Sequence, residues 1–224
     1  IMCKVAEIVV VGGVRRSALI SLSNLTDERM RNAKMGQWWL DETQRALSNN
    51  SVVYTEKPDV GIFLKEWMSL IASKSGERGI FNRQAAKKQV EKLGDRRDSN
   101  YNFGTNPCSE IILRDKEFCN LTEVVVRPSD TPETLAEKVR LATILGTWQA
   151  TLTNFRYLSK EWKTNCEEET LLGVSLTGIM DNAYTNGSYY HNERDKLPEL
   201  LNELKEITIE TNKKVAKQIG INPS

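Results

Sequence analysis

Short apolar segments that favour strands alternate along this chain with longer segments of helical periodicity, and this alternation limits the possible folds more than any other feature. The strand-like segments are residues 5–11, 18–23, 51–54 and 171–178, the last of which we expect to turn into a helix. The helical segments are residues 41–47, 59–73, 82–94, 131–154, 159–168 and 195–219. The pattern predicts an α/β fold in which helices cover the strands. Because few residues are strand-like, we expect the sheet to be part of a larger one.

Several element boundaries carry sequence signals. Thr131 followed by Pro132 is typical of a helix start, because proline lacks the N–H that would be unpaired there in any case. Asp41 and Asn82 are expected to cap their helices, and a glycine follows the last helix. Residues 95–107 are polar and contain many turn-forming residues, which predicts an irregular loop.

Composition excludes several classes of function. The 224 residues carry 31 basic and 30 acidic side chains, so the net charge of +1 does not favour nucleic acid or an anionic membrane as a partner. The four cysteines are scattered and form no CxxC pair, which favours a reducing, cytoplasmic compartment over a secreted disulfide framework. The sequence contains no membrane-length apolar run and no recognisable signal peptide. Both ends resemble cuts, so we expect an internal piece of a longer chain.

The residues around Cys108 are the strongest candidates for a chemical function. If residues 106–110 are extended, Asn106, Cys108 and Glu110 project from the same side of the chain. An amide, a thiol and a carboxylate would then share a small volume, where they could fix a hydroxyl, shuttle a hydrogen atom and take a proton. The spacing alone leaves an alternative open, in which Cys108 and Cys119 are small buried apolar residues and Glu110 is merely solvated.

A family resemblance favours the chemical interpretation. The segment from Asn106 to Glu110, with FCNL at residues 118–121, resembles the finger loop of ribonucleotide reductases, in which Asn-x-Cys-x-Glu precedes a second cysteine. Further blocks across nearly the whole chain also resemble this family, among them VVVGGVRRSALISL, RALSNNSVVY, SGERGIFNR and NCEEETLLGVSLTGIMDN. The short gap between the two cysteines is most similar to the monomeric, adenosylcobalamin-dependent ribonucleoside-triphosphate reductases.

The resemblance implies roles for these residues. Cys108 matches the thiyl-radical cysteine that removes the 3′ hydrogen of the ribose, Glu110 the base for the 3′-hydroxyl, and Asn106 the amide that positions the hydroxyls. Cys119 matches one of two cysteines that deliver reducing equivalents. Its partner would lie upstream of Ile1, and Cys3 does not match that position. The family's C-terminal cysteine pair is also missing from this sequence, so we expect no turnover by the chain alone.

The resemblance also implies a fold, a cofactor and partners. The fold is part of a ten-stranded α/β barrel, occupying residues 1–224, with a central finger loop at about residues 102–120. Adenosylcobalamin is the implied cofactor. The implied partners are a ribonucleoside triphosphate substrate, a deoxynucleotide effector, a thioredoxin-type reductant and the remaining segments of the parent reductase.

The glycine-containing loop at residues 12–17 is a second candidate site. Glycines allow close backbone approach and arginine provides planar, bidentate donors. A hairpin turn with two solvated arginines is the alternative, since no recognised phosphate-binding spacing is present. This block resembles the flexible loop that, in ribonucleotide reductases, lies between the specificity effector and the substrate base. The expected nucleotide contacts are Gly12, Gly13, Arg15, Arg16 and Ser17.

Other conspicuous residues have simpler interpretations. We expect His191 to lie on the surface and Cys166 to be structural or incidental, and the five tryptophans to serve in packing. Two alternatives to the cobalamin-dependent reductase stay open: a nucleotide-binding fragment without catalysis, and the iron-dependent, two-subunit ribonucleoside-diphosphate reductases of the same family.

Overall fold

The chain folds into helices separated by short strands. A computed structural model describes residues 1–8, 18–191, 193 and 195–224. The α-helices are α1 (Met2–Ile8), α2 (Glu28–Arg31), α3 (Trp38–Asp41), α4 (Val60–Ser73), α5 (Arg83–Glu91), α6 (Pro132–Gln149), α7 (Lys160–Glu169) and α8 (Lys196–Ile219). The strands are β1 (Leu19–Ser23), β2 (Ser48–Tyr54), β3 (Gly79–Asn82), β4 (Gly104–Thr105), β5 (Ile112–Leu113), β6 (Asn120–Val125) and β7 (Leu172–Thr177). Short 3₁₀ helices span Thr43–Leu47, Gly94–Arg96, Ile179–Asp181 and Ser188–Tyr190.

The chain divides into two compact units, Ile1–Asp115 and Lys116–Ser224. This boundary lies within the expected finger loop at about residues 102–120. The presence of parallel sheets in both units confirms the α/β class. We retain as a prediction that residues 1–224 form one barrel domain.

The first unit is built on a three-stranded parallel sheet in the order β1-β2-β3. The central strand β2 is buried at six of its seven positions, as expected for a parallel strand covered on both faces. Helix α4 connects β2 to β3, and its start is fixed by Asp59, whose carboxylate accepts a hydrogen bond from the Gly61 amide at 2.8 Å. Asn82 caps α5 in the same way, as predicted.

A buried ion cluster ties three parts of this unit together. Glu66 on α4 is 2% exposed. Its carboxylate accepts two hydrogen bonds from Arg78, at 2.7 and 2.9 Å, and one from Arg31 on α2 at 2.5 Å. Since both arginines are also buried, each charge in the cluster has its partners inside the protein.

The second unit is built on the parallel pair β6 and β7, with α6 and α7 between them in sequence. Thr131 and Thr134 form a reciprocal capping box at the start of α6, with Pro132 in its first turn, so the predicted start is confirmed. Helix α6 packs against β6, β7 and α8. The resulting core consists of Val124, Val126, Leu135, Val139, Ala142, Leu200 and Leu204.

Some expected elements differ in the structure. Residues 2–8 form α1 rather than the start of a strand, while residues 9–11 lie outside the described residues. A short apolar run suits either conformation, and a helix pairs its own backbone groups whereas a strand requires a neighbour. Asp41 is the last residue of α3 and caps nothing, because the next turn begins after Glu42. After β7 only a 3₁₀ turn follows, Ile179–Asp181, rather than a helix.

Among the described residues, the helices are each too short or too polar to cross a lipid bilayer.

Candidate functional site

Asn106, Cys108 and Glu110 lie together on the loop of a short hairpin in the first unit. Strands β4 and β5 pair antiparallel, with Thr105 opposite Ile112. The loop between them is closed by its own polar groups. The carbonyl of Asn106 accepts a hydrogen bond from the Ser109 amide at 3.0 Å, and its side-chain Oδ1 accepts one from the Ile111 amide at 3.1 Å.

The loop is therefore a turn, so the condition that residues 106–110 are extended, from which a shared side was inferred, is not met. Ser109 has a positive φ of 68°, which reverses the chain direction. The physical reason is Asn106, because a short amide side chain that bonds a following amide competes with strand pairing. The three residues do not alternate along one face of a strand, but the turn still keeps them within five positions of one another.

Cys108 and Glu110 are exposed at the tip of this turn, whereas Asn106 is half-buried. The alternative in which Cys108 is a small buried apolar residue is therefore wrong. An accessible thiol beside an accessible carboxylate can meet a substrate that arrives from outside the unit. The thiol can give up a hydrogen atom, and the carboxylate can accept a proton from a hydroxyl.

Contacts with the rest of the unit hold the hairpin in position. The side chain of Asn49, on β2, donates a hydrogen bond of 2.7 Å to the carbonyl of Pro107. Phe103, directly before β4, is completely buried, and its carbonyl accepts a 2.7 Å hydrogen bond from Arg83. Burial lowers the pKa of the Arg83 guanidinium from its ordinary value. Arg97 lies over the Phe103 ring and donates to the carbonyl of Ile112 at 2.9 Å.

Cys119 lies in the second unit, directly before β6. It is half-buried and lines a cavity of about 300 Å³. Cys166, on α7, lines the same cavity and is 7% exposed. The Phe118 amide donates a hydrogen bond of 3.2 Å to the Cys166 sulfur.

The loop at residues 12–17 and His191 are the remaining residues that the sequence analysis singled out. Gly12, Gly13, Arg15, Arg16 and Ser17 lie outside the described residues, so their expected nucleotide contacts stay a prediction. His191 is exposed, as expected. Within the described residues, no group of three or more His, Cys, Asp or Glu side chains is arranged to hold a metal ion.

Several known proteins are similar to this chain. A protein named adenosylcobalamin-dependent ribonucleoside-triphosphate reductase from Lacticaseibacillus paracasei is 32% identical over 186 residues, which is 79% of this chain and 23% of that protein. A protein of the same name from Lactobacillus acidophilus is 27% identical over 98% of this chain and 32% of its own length. Another from Lactobacillus delbrueckii subsp. bulgaricus is 29% identical over 79% of this chain.

The chain is similar to one segment of these reductases. It spans about a quarter to a third of the length of the curated relatives that it matches, 23% and 32% in the first and second cases. No family model matches the chain, and no solved structure matches it. The predicted recognition is therefore confirmed by the named relatives alone.

Two features of this reductase-like segment were missed from the sequence. Asn49, which anchors the Cys108 loop, lies on β2, whereas the predicted helical segment ends at residue 47 and the predicted strand begins only at residue 51. Cys166 is predicted to be structural or incidental, and its place beside the Phe118 amide carries no signal in the sequence, because 48 residues separate the two positions.

Proposed function

We propose that this chain provides the radical-bearing loop of an enzyme that reduces ribonucleoside triphosphates to deoxyribonucleotides, with adenosylcobalamin as the radical source. The observation that carries the proposal is the exposed Cys108 thiol two residues from the exposed Glu110 carboxylate. Both lie on a turn that the Asn49 side chain holds by a hydrogen bond. Support also comes from relatives named adenosylcobalamin-dependent ribonucleoside-triphosphate reductase, a name that favours this branch over the iron-dependent one.

One feature of the described residues, the exposed Cys108 thiol, fits such a cofactor. Bound adenosylcobalamin would supply a carbon-centred radical, and a thiol that receives it must be accessible from outside its own unit. Cys108 meets this requirement because it lies exposed at the tip of the turn. The described residues thus provide the acceptor of the radical rather than a pocket for the cofactor.

The chain's own side chains would divide the work on the ribose. The Cys108 sulfur, as a thiyl radical, takes the hydrogen atom from the 3′ carbon and later returns it. Glu110 takes the proton of the 3′-hydroxyl, while Asn106 positions the hydroxyls. Cys119 and a second thiol give up two electrons and two protons and become a disulfide as the 2′-hydroxyl leaves as water. The protein's contribution is orientation, a base and thiols.

The wider assembly is part of the same proposal. The chain would form part of a ten-stranded α/β barrel, in which the loop at about residues 102–120 is the central finger loop. The parallel sheets of the two units are compatible with such a barrel. The remaining segments of the reductase would supply the other strands, and the partners would be a deoxynucleotide effector and a thioredoxin-type reductant in the cytoplasm.

A hybrid enzyme tests this proposal. The matching segment of the Lacticaseibacillus paracasei reductase is replaced by this chain, and deoxyribonucleotide formation is measured together with exchange of the cofactor's 5′ hydrogens with solvent. We expect both activities in the hybrid, their loss in Cys108→Ser, and their retention in the control Ser109→Ala. The isolated chain should give no product.

Two outcomes would contradict the proposal. One is hydrogen exchange that survives Cys108→Ser. The other is a folded hybrid, verified by circular dichroism, that shows neither exchange nor product.

A further inference from the structure

The second unit brings two thiols to one cavity, and these thiols are separate from the Cys108 loop. Cys119 and Cys166 both line the cavity of about 300 Å³, together with Phe118, Phe155 and Gln149. All four cysteines of the chain lie among the described residues, and each is a thiol. The cavity is therefore a place where two thiols can react with each other or with a small molecule.

Helix α7 is fastened to the segment that carries Cys119. Trp162 and Cys166 are four residues apart, so they lie on the same face of α7. The Phe118 ring stacks on Trp162 with centroids 4.7 Å apart, and the Phe118 amide donates to the Cys166 sulfur at 3.2 Å. At the helix's first turn, Glu161 pairs with Lys116.

These contacts fix the Cys166 sulfur beside the backbone that leads to Cys119. Standard backbone dimensions place the Cys119 Cα within about 8 Å of a sulfur that lies 3.2 Å from the Phe118 nitrogen. In a disulfide the two Cα atoms lie roughly 4.4–6.8 Å apart, so the bond requires the Cys119 side chain to turn toward this sulfur and the local backbone to adjust. Cys119 directly precedes β6.

We propose that Cys119 and Cys166 form a thiol–disulfide exchange site that reacts with low-molecular-weight disulfides. The half-buried Cys119 thiolate attacks the small disulfide, forms a mixed disulfide and releases one small thiol. The Cys166 thiolate then attacks the Cys119 sulfur and releases the second small thiol. The protein loses two electrons and two protons, which the small disulfide gains, and an internal Cys119–Cys166 disulfide remains.

This inference does not depend on the proposed radical chemistry, because it needs no nucleotide, no cobalamin and no Cys108. It gives Cys119 a partner within this chain, in addition to the upstream cysteine that the family resemblance implies. Oxidation would lock α7 to the start of β6 and occupy the thiol proposed as a reductant.

The chain itself is the material for the test. The reduced protein is incubated with glutathione disulfide, remaining thiols are alkylated, and tryptic peptides are analysed by mass spectrometry without reduction. We expect the linked Cys119 and Cys166 peptides to exceed any other cysteine pair by about tenfold or more, since an intramolecular thiol reacts at a high effective concentration. Cys3→Ser should leave this linkage unchanged.

Single substitutions check the order of the steps. In Cys166→Ser, Cys119 should accumulate as the mixed disulfide with glutathione, and in Cys119→Ser the linked peptide should disappear. Circular dichroism of the reduced variants verifies that they are folded. The proposal is overturned if, in the unsubstituted chain, Cys119 takes up glutathione while Cys166 is recovered fully alkylated, or if all cysteine pairs form equally.

Discussion

Asn106 shows how much one residue decides at the candidate site. Its side chain and its carbonyl both accept hydrogen bonds from amides later in the loop, so the chain turns at residues 106–110 rather than remaining extended. The residue types in the motif could be identified from the sequence, because their chemistry is intrinsic. The position of the turn against the rest of the unit could not, since it depends on Asn49, which lies 58 residues before its partner Pro107.

The proposed role of the Glu110 carboxylate can be tested separately from that of the Cys108 thiol. In the hybrid reductase, Glu110→Gln should lower deoxyribonucleotide formation by about 10²- to 10⁴-fold, because a general base is lost. Exchange of the cofactor's 5′ hydrogens should persist, since Cys108 is unchanged. Glu56→Gln, an exposed substitution in the same unit, serves as the control. Product formation at the unsubstituted rate would argue against the role of Glu110.

At the scale of elements, the helices followed their sequence signals more closely than the strands did. Asp59, Asn82 and Thr131 cap helices through bonds to amides two or three residues away, so these boundaries are local properties. The strands β3 and β6 were not predicted, because each is short and is stabilised by a partner strand distant in sequence.

The end of β7 provides a test of packing between elements. Gly178 has a positive φ of 75°, and a Cβ there would lie 2.5 Å from the carbonyl oxygen of Val126. Gly178→Ala should therefore lower the free energy of unfolding by about 2–4 kcal/mol, combining backbone strain with a clash against main chain. Chemical denaturation measures this change.

Gly220 offers a matched control for that substitution. Its φ is also positive, at 74°, but no atom of the described residues lies within 4 Å of the position of a Cβ. Gly220→Ala should cost only the backbone strain, about 1–2 kcal/mol. Equal losses in the two variants would show that the contact with Val126 contributes nothing.

At the scale of the whole molecule, charge burial links stability to pH. Burial of Glu66 by itself would raise the pKa of its carboxyl, but hydrogen bonds from Arg78 and Arg31 outweigh this effect and lower it from the ordinary 4.5. The ionised carboxylate therefore stabilises the folded state fully above about pH 4.5. This contribution is lost as pH falls through the lowered pKa of the folded state.

Glu66→Gln tests this cluster. It should lower the free energy of unfolding near pH 7 by about 3–5 kcal/mol, because the buried Arg78 loses its counter-charge and the buried Arg31 keeps only the exposed Glu28. The variant's loss relative to the unsubstituted chain should shrink as pH falls below about 4.5, where Glu66 becomes protonated in the unfolded state, and disappear below the lowered pKa of the folded state. Glu28→Gln, whose carboxylate pairs with Arg31 but is 59% exposed, should change stability far less. Thermal and urea unfolding from pH 3 to pH 7 distinguish these outcomes.

The sequence by itself determined the α/β class, most helix positions and the chemistry of the Asn106, Cys108 and Glu110 motif, because periodicity, caps and functional groups act within a few residues. Only the tertiary structure decided that residues 2–8 are helical, that the motif lies on an exposed turn, and that Cys166 lies against the backbone before Cys119. Those features depend on contacts between distant positions, such as the 48 residues between Phe118 and Cys166. No local pattern encodes which of the many possible long-range contacts will form.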